Sequence, residues 1–469
     1  MKNTKTSKLK LNPYLLVTLS FVIVIFVGAF LINMPFAQKS GTWGDYTESL
    51  FTSVSATCVT GASTYKEGVA NSLTFGGQLV TLVLIQIGGL GFITFLTFIF
   101  NLFAKKIRLK DRYYIAQMVG SDDYADVFTF IKRLIGIEFS LELIGFILGL
   151  PVFLTMYKDN IGQGLWNSLY HSVSAVNNAG FDLFNGNSLI GGLEGISGEF
   201  IGGSLYYYFC TYSMVLIIMG GISFLVIIEV LFSKKRLRQY KAFTKIVILM
   251  TISLIVLGTL GLYLTDGTKA DNPMTLFDCL FTSVSARTAG FSTYTHDSIS
   301  TTGKILTCFL MFVGGAPLGT AGGIKVTTLF ILILALICFI RGKKFQAFNR
   351  FFSKKMFVKA ALLIFISIFI IIVGFICLTS FGLTKDYAEL GLKSDQSVNF
   401  LYEIFSCFGT VGFSVGIEPY LTVGSRITLC VLMFLGRIGP ISILHLLDAR
   451  VETQKEQHYK LVEEDFLIG

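Results

Sequence analysis

Eight long apolar stretches divide the sequence, each separated from the next by a mixed or charged segment. They lie at residues 13–34, 77–103, 134–156, 200–232, 246–265, 305–340, 360–381 and 421–447. Each can supply the roughly 20 apolar residues that a membrane-spanning helix needs. The pattern therefore predicts an all-α integral membrane protein with eight transmembrane helices.

The eight stretches form four consecutive pairs, and a shorter motif lies between the two stretches of each pair. It reads FTSVSATCVTG at 51–61, YHSVSAVNNAG at 170–180, FTSVSARTAG at 281–290 and IFSCFGTVG at 404–412. Each copy ends in a glycine and closes a segment of about a dozen mixed residues, which is too short to cross a bilayer. We therefore predict four half-helices, each closed by a glycine turn.

Four copies in one orientation indicate parallel repeats about an axis along the membrane normal. Non-helical backbone survives at membrane depth only where it is buried in protein or lines water. We therefore expect four repeats, each made of a spanning helix, a pore half-helix and a second spanning helix (M1–P–M2). They would form a pseudo-fourfold arrangement with eight spans and four re-entrant pore half-helices. The predicted units are repeat one at 1–110, repeat two at 111–240, repeat three at 241–355, repeat four at 356–450 and a cytoplasmic tail at 451–469.

The composition agrees with a membrane protein. The 469 residues are 53% hydrophobic and 14% charged, with a mean hydropathy of +0.69, whereas soluble proteins carry about 25% charged residues. A signal peptide is the alternative for the first stretch. Its length of about 22 residues and the lack of a small-residue cleavage site argue against that alternative.

The net charge of +9 follows the predicted topology. Basic residues cluster at 2–10, 105–112, 234–245 and 341–359, and the alternate loops are more acidic. The positive-inside rule places these basic segments and both termini in the cytoplasm. The charge is therefore no sign of nucleic-acid binding, and anionic lipid and a cytosolic protein are both natural contacts for the basic loops.

The glycine turns suit a cation site. A cation that crosses lipid must replace its hydration shell, and rings of backbone carbonyls do this in potassium channels. Glycine reaches φ > 0 at little cost, and only the glycine is shared among the turns, which favours main-chain ligands over a ring of carboxylates. Close helix packing is the alternative role for glycine here. The candidate filter residues are Cys58, Val59, Thr60, Gly61, Asn177, Asn178, Ala179, Gly180, Arg287, Thr288, Ala289, Gly290, Gly409, Thr410, Val411 and Gly412.

The apolar stretch 305–340 contains a break at 314–323, where five glycines and a proline exclude a regular helix. A kinked helix and a flexible plug below the turns both fit this segment. Lys325 follows it and Arg437 lies inside the last stretch; a cation within a span costs at least about 2.5–3.5 kcal/mol and usually faces a cavity or a partner. Snorkelling is the alternative for Lys325, and Arg437 is predicted to face the pore. The candidate gate residues are Gly314, Gly315, Gly319, Thr320, Gly322, Gly323, Lys325 and Arg437.

Together with GGAPLGTAGGIKVTT at 314–328 and LGRIGP at 435–440, the four turns make the chain resemble the Trk/Ktr/HKT superfamily of potassium transporters. Because the first stretch directly begins repeat one, the chain looks like the membrane subunit of the Ktr branch. The resemblance implies potassium uptake across a bacterial plasma membrane, with 314–323 as the intramembrane gate. It also implies a homodimer on a cytosolic ring of RCK (KTN) subunits that bind ATP or ADP. Potassium is then the transported ion, sodium the second candidate, and no covalent cofactor is expected.

Two other classes of protein compete with this interpretation. A sodium- or proton-coupled symporter needs ionisable groups within its spans; Glu138, Glu142 and Glu229 are candidates, but each lies toward a cytoplasmic half, which argues weakly against coupling. No HExxH motif supports an enzyme, and no GxxxxGK[ST] motif supports nucleotide binding by this chain. The eight cysteines form no CxxC pair and are typical of helix packing.

Overall fold

The computed structural model of the protein describes residues 13–91, 127–184, 203–233, 239–269, 273–392 and 395–439. The described chain is mostly helical, as the apolar pattern predicts. Several predicted features lie outside the described residues: the tail 451–469, the basic segments 2–10 and 105–112, residues 234–238 of the third basic segment, and Pro440 of the LGRIGP motif.

The helices fall into two groups. Those that carry the long apolar stretches are α1 (Pro13–Asn33), α4 (Phe75–Leu90), α5 (Val127–Met156), α7 (Ser204–Gly221), α8 (Phe224–Phe232), α9 (Ala242–Leu262), α11 (Thr301–Phe312), α12 (Val326–Ile340), α13 (Lys354–Phe381) and α15 (Val423–Ile438). Those that lead into the glycine motifs, here called the half-helices, are α2 (Tyr46–Cys58), α6 (Ile161–Val176), α10 (Leu276–Ser285) and α14 (Gln396–Gly409).

The remaining elements are small. They are helix α3 (Gly68–Ser72), a π-helical turn (Tyr263–Gly267), three 3₁₀ turns (His296–Ser298, Tyr387–Leu390 and Glu418–Tyr420) and a two-stranded antiparallel hairpin of β1 (Gln346–Ala347) and β2 (Arg350–Phe351). The hairpin joins α12 to α13, in the basic segment predicted to be cytoplasmic.

Within the described residues, four helices are long and apolar enough to cross a membrane: Ile131–Met156, Ser204–Gly221, Ala242–Gly267 and Lys354–Phe381. Shorter apolar helices account for parts of the other predicted spans. The structure therefore supports a multi-pass protein, and the count of eight spans stays a prediction.

Two apolar stretches are interrupted. In the stretch 305–340 the helical conformation stops at Phe312 and resumes at Val326, so the predicted break is real and is a loop between helices, not a kink. In the stretch 200–232 α7 stops at Gly221 and α8 starts at Phe224. The apolar pattern did not indicate this second break. The cause of this break is tertiary, because main-chain groups on both sides of it form hydrogen bonds with the loop 313–325.

Each half-helix is seated against the long helix that precedes it. In three repeats a serine of the half-helix donates a hydrogen bond to a carbonyl of that long helix: Ser53 to Ile25 at 2.7 Å, Ser172 to Glu142 at 2.5 Å and Ser283 to Ile255 at 2.9 Å. A glycine one turn beyond each acceptor admits the serine. In the fourth half-helix the matching position is Ile404, which is fully buried, so this seat is apolar.

The N-termini of three of the four half-helices are capped by short polar side chains, whereas Asp395 before α14 forms no such cap. Asp45 accepts from Thr47 N at 2.8 Å and Asn160 accepts from Gln163 N at 3.1 Å. At α10, Thr275 and Asp278 form a reciprocal capping box. These caps fix where the first three half-helices start, and therefore how far their C-termini reach toward the glycine motifs.

Candidate functional site

The four glycine turns share one backbone conformation. The residue two positions before each glycine is left-handed, with φ of 59° at Val59, 56° at Asn178, 72° at Thr288 and 52° at Thr410. The glycines themselves have φ of 92° at Gly61, 70° at Gly180, 78° at Gly290 and 91° at Gly412. Non-glycine residues seldom adopt positive φ. Four copies of this uncommon pair show that the sequence repeat is a conformational repeat.

A hydrogen bond at the end of each half-helix sets the turn. In three repeats the residue before the glycine donates to the carbonyl five positions earlier: Thr60 to Ser55, Ala179 to Ser174 and Val411 to Ser406, at 2.7–2.8 Å. Repeat three is one residue shorter, and there Ala289 donates to Ser285, four positions earlier, at 2.9 Å. A serine at the equivalent position therefore provides the accepting carbonyl in all four turns, and the shorter motif ends in a tighter turn.

The four glycines form a closed ring, in which each lies against the carbonyl that precedes the next glycine. A methyl group added at Gly61 would lie 2.6 Å from the carbonyl oxygen of Ala179. One added at Gly180 would lie 2.7 Å from the carbonyl oxygen of Ala289. Methyl groups at Gly290 and Gly412 would come closer still to the carbonyl oxygens of Val411 and Thr60, respectively. We call this arrangement the glycine ring.

A cavity of about 400 Å³ opens on one side of the glycine ring, where the chain continues after each glycine. The residues two positions after the glycines all line it, and they are Ser63, Asp182, Ser292 and Ser414. Two acidic residues hold these loops. Glu403 accepts from Ser414 Oγ at 2.6 Å, and Glu418 accepts from Ser63 N at 3.0 Å. Burial raises the pKa of Glu418 well above its ordinary value, and the nearby Glu403 carboxylate adds to this rise.

The glycine-rich loop, residues 313–325, lies on the other side of the ring. Its two ends pair with each other, since Gly314 N donates to Ile324 O at 2.9 Å and Val326 N donates to Gly315 O at 3.1 Å. Its middle pairs with the end of α7: Ala316 N donates to Gly221 O at 3.0 Å and Thr320 N to Gly220 O at 3.2 Å. The break after α7 therefore supplies the acceptors that hold the loop.

The loop also touches the C-terminal ends of half-helices. Thr320 Oγ1 donates to Val176 O of α6 at 3.2 Å. A methyl group added at Gly322 would overlap the hydroxyl of Thr410, in the turn after α14. Arg287, in the turn of repeat three, donates to Gly314 O at 3.3 Å. The predicted gate residues are thus brought together with predicted filter residues of repeats three and four, and with the end of the half-helix of repeat two.

Arg437, near the end of α15, donates to the carbonyls of Thr320 in the loop and Gly88 in α4. It therefore lies beside the loop, and its position in a pore stays a prediction. The ends of α4, α7 and α11 carry the pairs Gly88-Gly89, Gly220-Gly221 and Gly314-Gly315, and α15 ends Gly436-Arg437. The arginine replaces the second glycine of a repeated pair. Sequence reasoning missed this pattern, although aligning the four helix ends would have found it.

Lys325 is half-buried at the start of α12, and its Nζ donates to the carbonyl of Ala321 at 2.6 Å. It folds back onto the loop, which differs from the snorkelling alternative. The side chain of Arg287 was not predicted to contribute, since only its backbone was considered. No sequence signal distinguished its side chain from that of Asn178 or Thr410 in the other turns.

Comparison with known proteins gives a consistent result. Residues 6–459 match the TrkH family, described as cation transport protein. The chain is 32% identical to Ktr system potassium uptake protein B of Bacillus subtilis over 93% of both chains. It is 30% identical to potassium/sodium uptake protein NtpJ of Enterococcus hirae over 99% of both.

A solved structure shares the fold. The chain aligns with the crystal structure of the potassium transporter TrkH from Vibrio parahaemolyticus with a TM-score of 0.68 and 18% identity, over 94% of this chain and 86% of that one.

Proposed function

The chain belongs to the TrkH family of cation transport proteins, and we propose that it takes up potassium across the plasma membrane through the glycine ring. The ion would move inward down its electrochemical gradient, driven by a membrane potential worth about 2.3 kcal/mol per charge per 100 mV. Main-chain oxygens of the four turns would replace its water. The proposed filter comprises the sixteen turn residues named from the sequence.

One observation carries this proposal: four glycine turns from distant parts of the chain close into a ring with a main-chain carbonyl beside every glycine. Such a ring offers oxygen ligands at an axis, which is what a cation needs when it leaves water. The C-terminal ends of four half-helices also point at this ring, and their partial negative charge favours a cation there. Because the side chains of the turns differ, backbone oxygens are the shared chemistry.

The proposed architecture is four M1–P–M2 repeats with the boundaries expected from the sequence, eight spans, four re-entrant half-helices and both termini in the cytoplasm. The described half-helices and their shared turn support the repeat. The distribution of basic residues supports the orientation. In that orientation the cavity faces outward and the glycine-rich loop lies on the cytoplasmic side of the ring.

We further propose that the glycine-rich loop is the gate. It lies against the half-helix ends of three repeats, and unwound glycine backbone can rearrange at low steric cost. Arg437 would hold the closed state in two ways. Its hydrogen bonds tie the loop to α4, and its positive charge repels a cation below the ring. Lys325 would add a second positive charge near the same segment.

Regulation would come from other chains. The similarity to a protein of a Ktr system supports a partner in the system. We propose a cytosolic RCK ring that binds ATP or ADP, with this chain as a homodimer above it. The basic hairpin region between α12 and α13 is a natural contact for such a partner, because it lies at the cytoplasmic end of the helix that follows the loop.

The second candidate function is potassium uptake coupled to sodium or protons. Similarity to a potassium/sodium uptake protein supports it. Flux reversal potentials measured in opposing ion gradients would separate the two functions, since a coupled transporter reverses at a potential that depends on both ions, and a uniport depends on potassium alone.

The test is potassium-limited growth of an uptake-deficient bacterium that expresses either the wild type or Gly290→Ser. The wild type should rescue growth, whereas the variant should lose rescue or accept sodium. A side chain at Gly290 would meet the carbonyl of Val411 and the backbone of Gly180. Gly391→Ser is the control, because Gly391 is also left-handed, with φ of 65°, but has open space around it.

Rescue by wild type and by Gly391→Ser, with altered cation preference in Gly290→Ser, would support the filter. Equal rescue and equal potassium-over-sodium preference for all three would remove the glycine ring from the transport mechanism. Failure of the wild type to rescue, despite membrane insertion, would count against potassium uptake by this chain.

A further inference from the structure

Two carboxylates of α5 are buried on the side of the helix that faces the glycine ring. Glu138 has no exposed surface and Glu142, one turn further, is 5% exposed. Both lie inside the longest stretch of α5 that is apolar enough to span a membrane. Ionisable groups at such positions are costly and are retained where they have a partner. Their partners therefore indicate what the pair does.

Glu142 binds the turn of repeat two. Its Oε1 accepts from Asn177 Nδ2 at 2.9 Å, and the same amide donates to Val173 O at 2.9 Å. Asn177 directly precedes the left-handed Asn178 of this turn. On its other side, a methyl group at Gly89 of α4 would overlap the Asn177 amide. The amide is therefore confined between α4 and α5, and the carboxylate fixes its orientation.

Glu138 is directed toward the gate. Its Oε1 accepts from Gln86 Nε2 of α4 at 3.3 Å, while its Oε2 is buried with no hydrogen-bond partner among the described residues. Arg437 approaches the same stretch of α4, although no ion pair within 4 Å joins the two side chains among the described residues. The guanidinium binds Gly88 O, two residues along α4 from Gln86. Glu138 thus lies behind the arginine that holds the loop.

The distribution of charge favours this pairing. Like charges one turn apart on a helix repel, and in a low-dielectric interior a lone carboxylate or guanidinium carries a large desolvation cost. The basic residues on α5 itself, Lys132 and Arg133, lie toward its N-terminal end, one to two turns before Glu138. Arg437 of α15 binds α4 two residues from Gln86, which binds Glu138, so it is the cation placed to compensate Glu138.

We propose that Glu138 is the counter-charge that holds Arg437 on the glycine-rich loop, and that Glu142 positions the filter turn of repeat two through Asn177. The two residues act by different means. Glu138 acts through its charge, whereas Glu142 acts as a hydrogen-bond acceptor. The inference rests on the proposed filter and gate, and it makes α5 the element that joins them.

Glutamine substitution separates the two roles, because it removes charge but keeps an acceptor. Glu142→Gln should keep the potassium-over-sodium uptake ratio within about twofold of wild type, whereas Glu142→Leu should lower it about tenfold, since a charge-assisted hydrogen bond is lost. Glu138→Gln should leave this ratio unchanged and should raise basal potassium uptake at least about threefold. An uncompensated guanidinium would leave the loop for water.

The decisive measurement is a double-mutant cycle of Glu138→Gln and Arg437→Gln, read as potassium uptake by purified protein in proteoliposomes and normalised to inserted protein. If Glu138 acts through Arg437, its effect should vanish in the Arg437→Gln background, with a coupling between about two- and hundredfold, as for residues in contact. Glu229→Gln is the control. Glu229 is also a carboxylate in an apolar helix. However, it accepts hydrogen bonds from the hydroxyl of Thr244 in α9 and from Lys241 N, directly before α9.

Coupling of Glu138, and not of Glu229, to Arg437 would support the proposal. An effect of Glu138→Gln that is the same with and without Arg437 would overturn it. So would loss of uptake in both backgrounds, which would indicate a proton relay. If Glu138→Gln does not insert, Glu138→Asp replaces it in the cycle and should couple more weakly. Absence of uptake by the wild type would instead contradict the proposed function.

Discussion

The glycine ring and the glycine-rich loop use the same residue for opposite purposes. In the ring, each glycine follows one local rule: a half-helix, a left-handed residue and a glycine at positive φ, repeated four times. In the loop, the only glycine with positive φ is Gly323, and the others admit backbone or side chains from α7, the turns and the loop itself. The ring is determined by conformation and the loop by its neighbours.

This difference shows where side chains matter. The ring contains cysteine, asparagine, arginine or glycine three residues before its glycines, so the four turns share a main-chain conformation and not these side chains. The loop is held by particular side chains, Arg437, Arg287 and Thr320, each used once. We therefore expect ring substitutions to change which ion passes and loop substitutions to change how fast it passes.

The largest effect is expected for Gly412→Ala compared with Gly416→Ala. The two glycines have nearly the same φ, 91° and 93°, so the conformational strain of alanine is shared, about 1–3 kcal/mol. Only at Gly412 would the new methyl group overlap the carbonyl of Thr60, whereas Gly416 has no atom within 4 Å. Gly412→Ala should lower potassium uptake at least about tenfold and alter the potassium-over-sodium ratio.

Uptake of potassium and sodium by the two variants in proteoliposomes measures this comparison. Gly416→Ala should keep most uptake and the wild-type ion ratio. Equal losses in both variants would mean that backbone strain alone, and not the close approach within the ring, limits transport.

A smaller effect is expected at the point where the two regions touch. In Gly322→Ala the methyl group would overlap the Thr410 hydroxyl, so the loop must move away from the ring. If moving the loop away from the ring costs about 1 kcal/mol, basal potassium uptake should rise severalfold. The potassium-over-sodium ratio should not change. The double variant Gly322→Ala with Thr410→Ala should recover part of the wild-type rate, because the colliding hydroxyl is gone.

Two results would contradict this account of the contact. One is a changed potassium-over-sodium ratio in Gly322→Ala alone, which would place the loop within the filter. The other is the same rate in the single and double variants, which would show that the loop does not rest on Thr410.

The sequence predicted what depends on local pattern. The half-helices, their glycine turns, the shorter third turn and the broken stretch after Phe312 all follow from composition and spacing. It did not predict the break after Gly221, because the carbonyls at this break accept hydrogen bonds from a loop about a hundred residues later. Nor did it predict the contacts behind the roles proposed for Glu138 and Glu142, since their partners Gln86 and Asn177 belong to other segments of the chain. Contacts of this kind leave no local pattern.

The smallest effect is expected in the scaffold that presents the ring. Ser283→Ala removes one buried hydrogen bond to Ile255 O and should lower the free energy of unfolding by about 1 kcal/mol. Gly258→Ala should cost more, since its methyl group would overlap the Ser283 hydroxyl, and combining the two changes should restore part of the loss. Thermal unfolding in detergent measures both, and potassium-over-sodium uptake should not change. A changed ion ratio in Ser283→Ala, with stability intact, would mean that the seat of the half-helix tunes the ring, and that the conformational rule of the turn is not sufficient by itself.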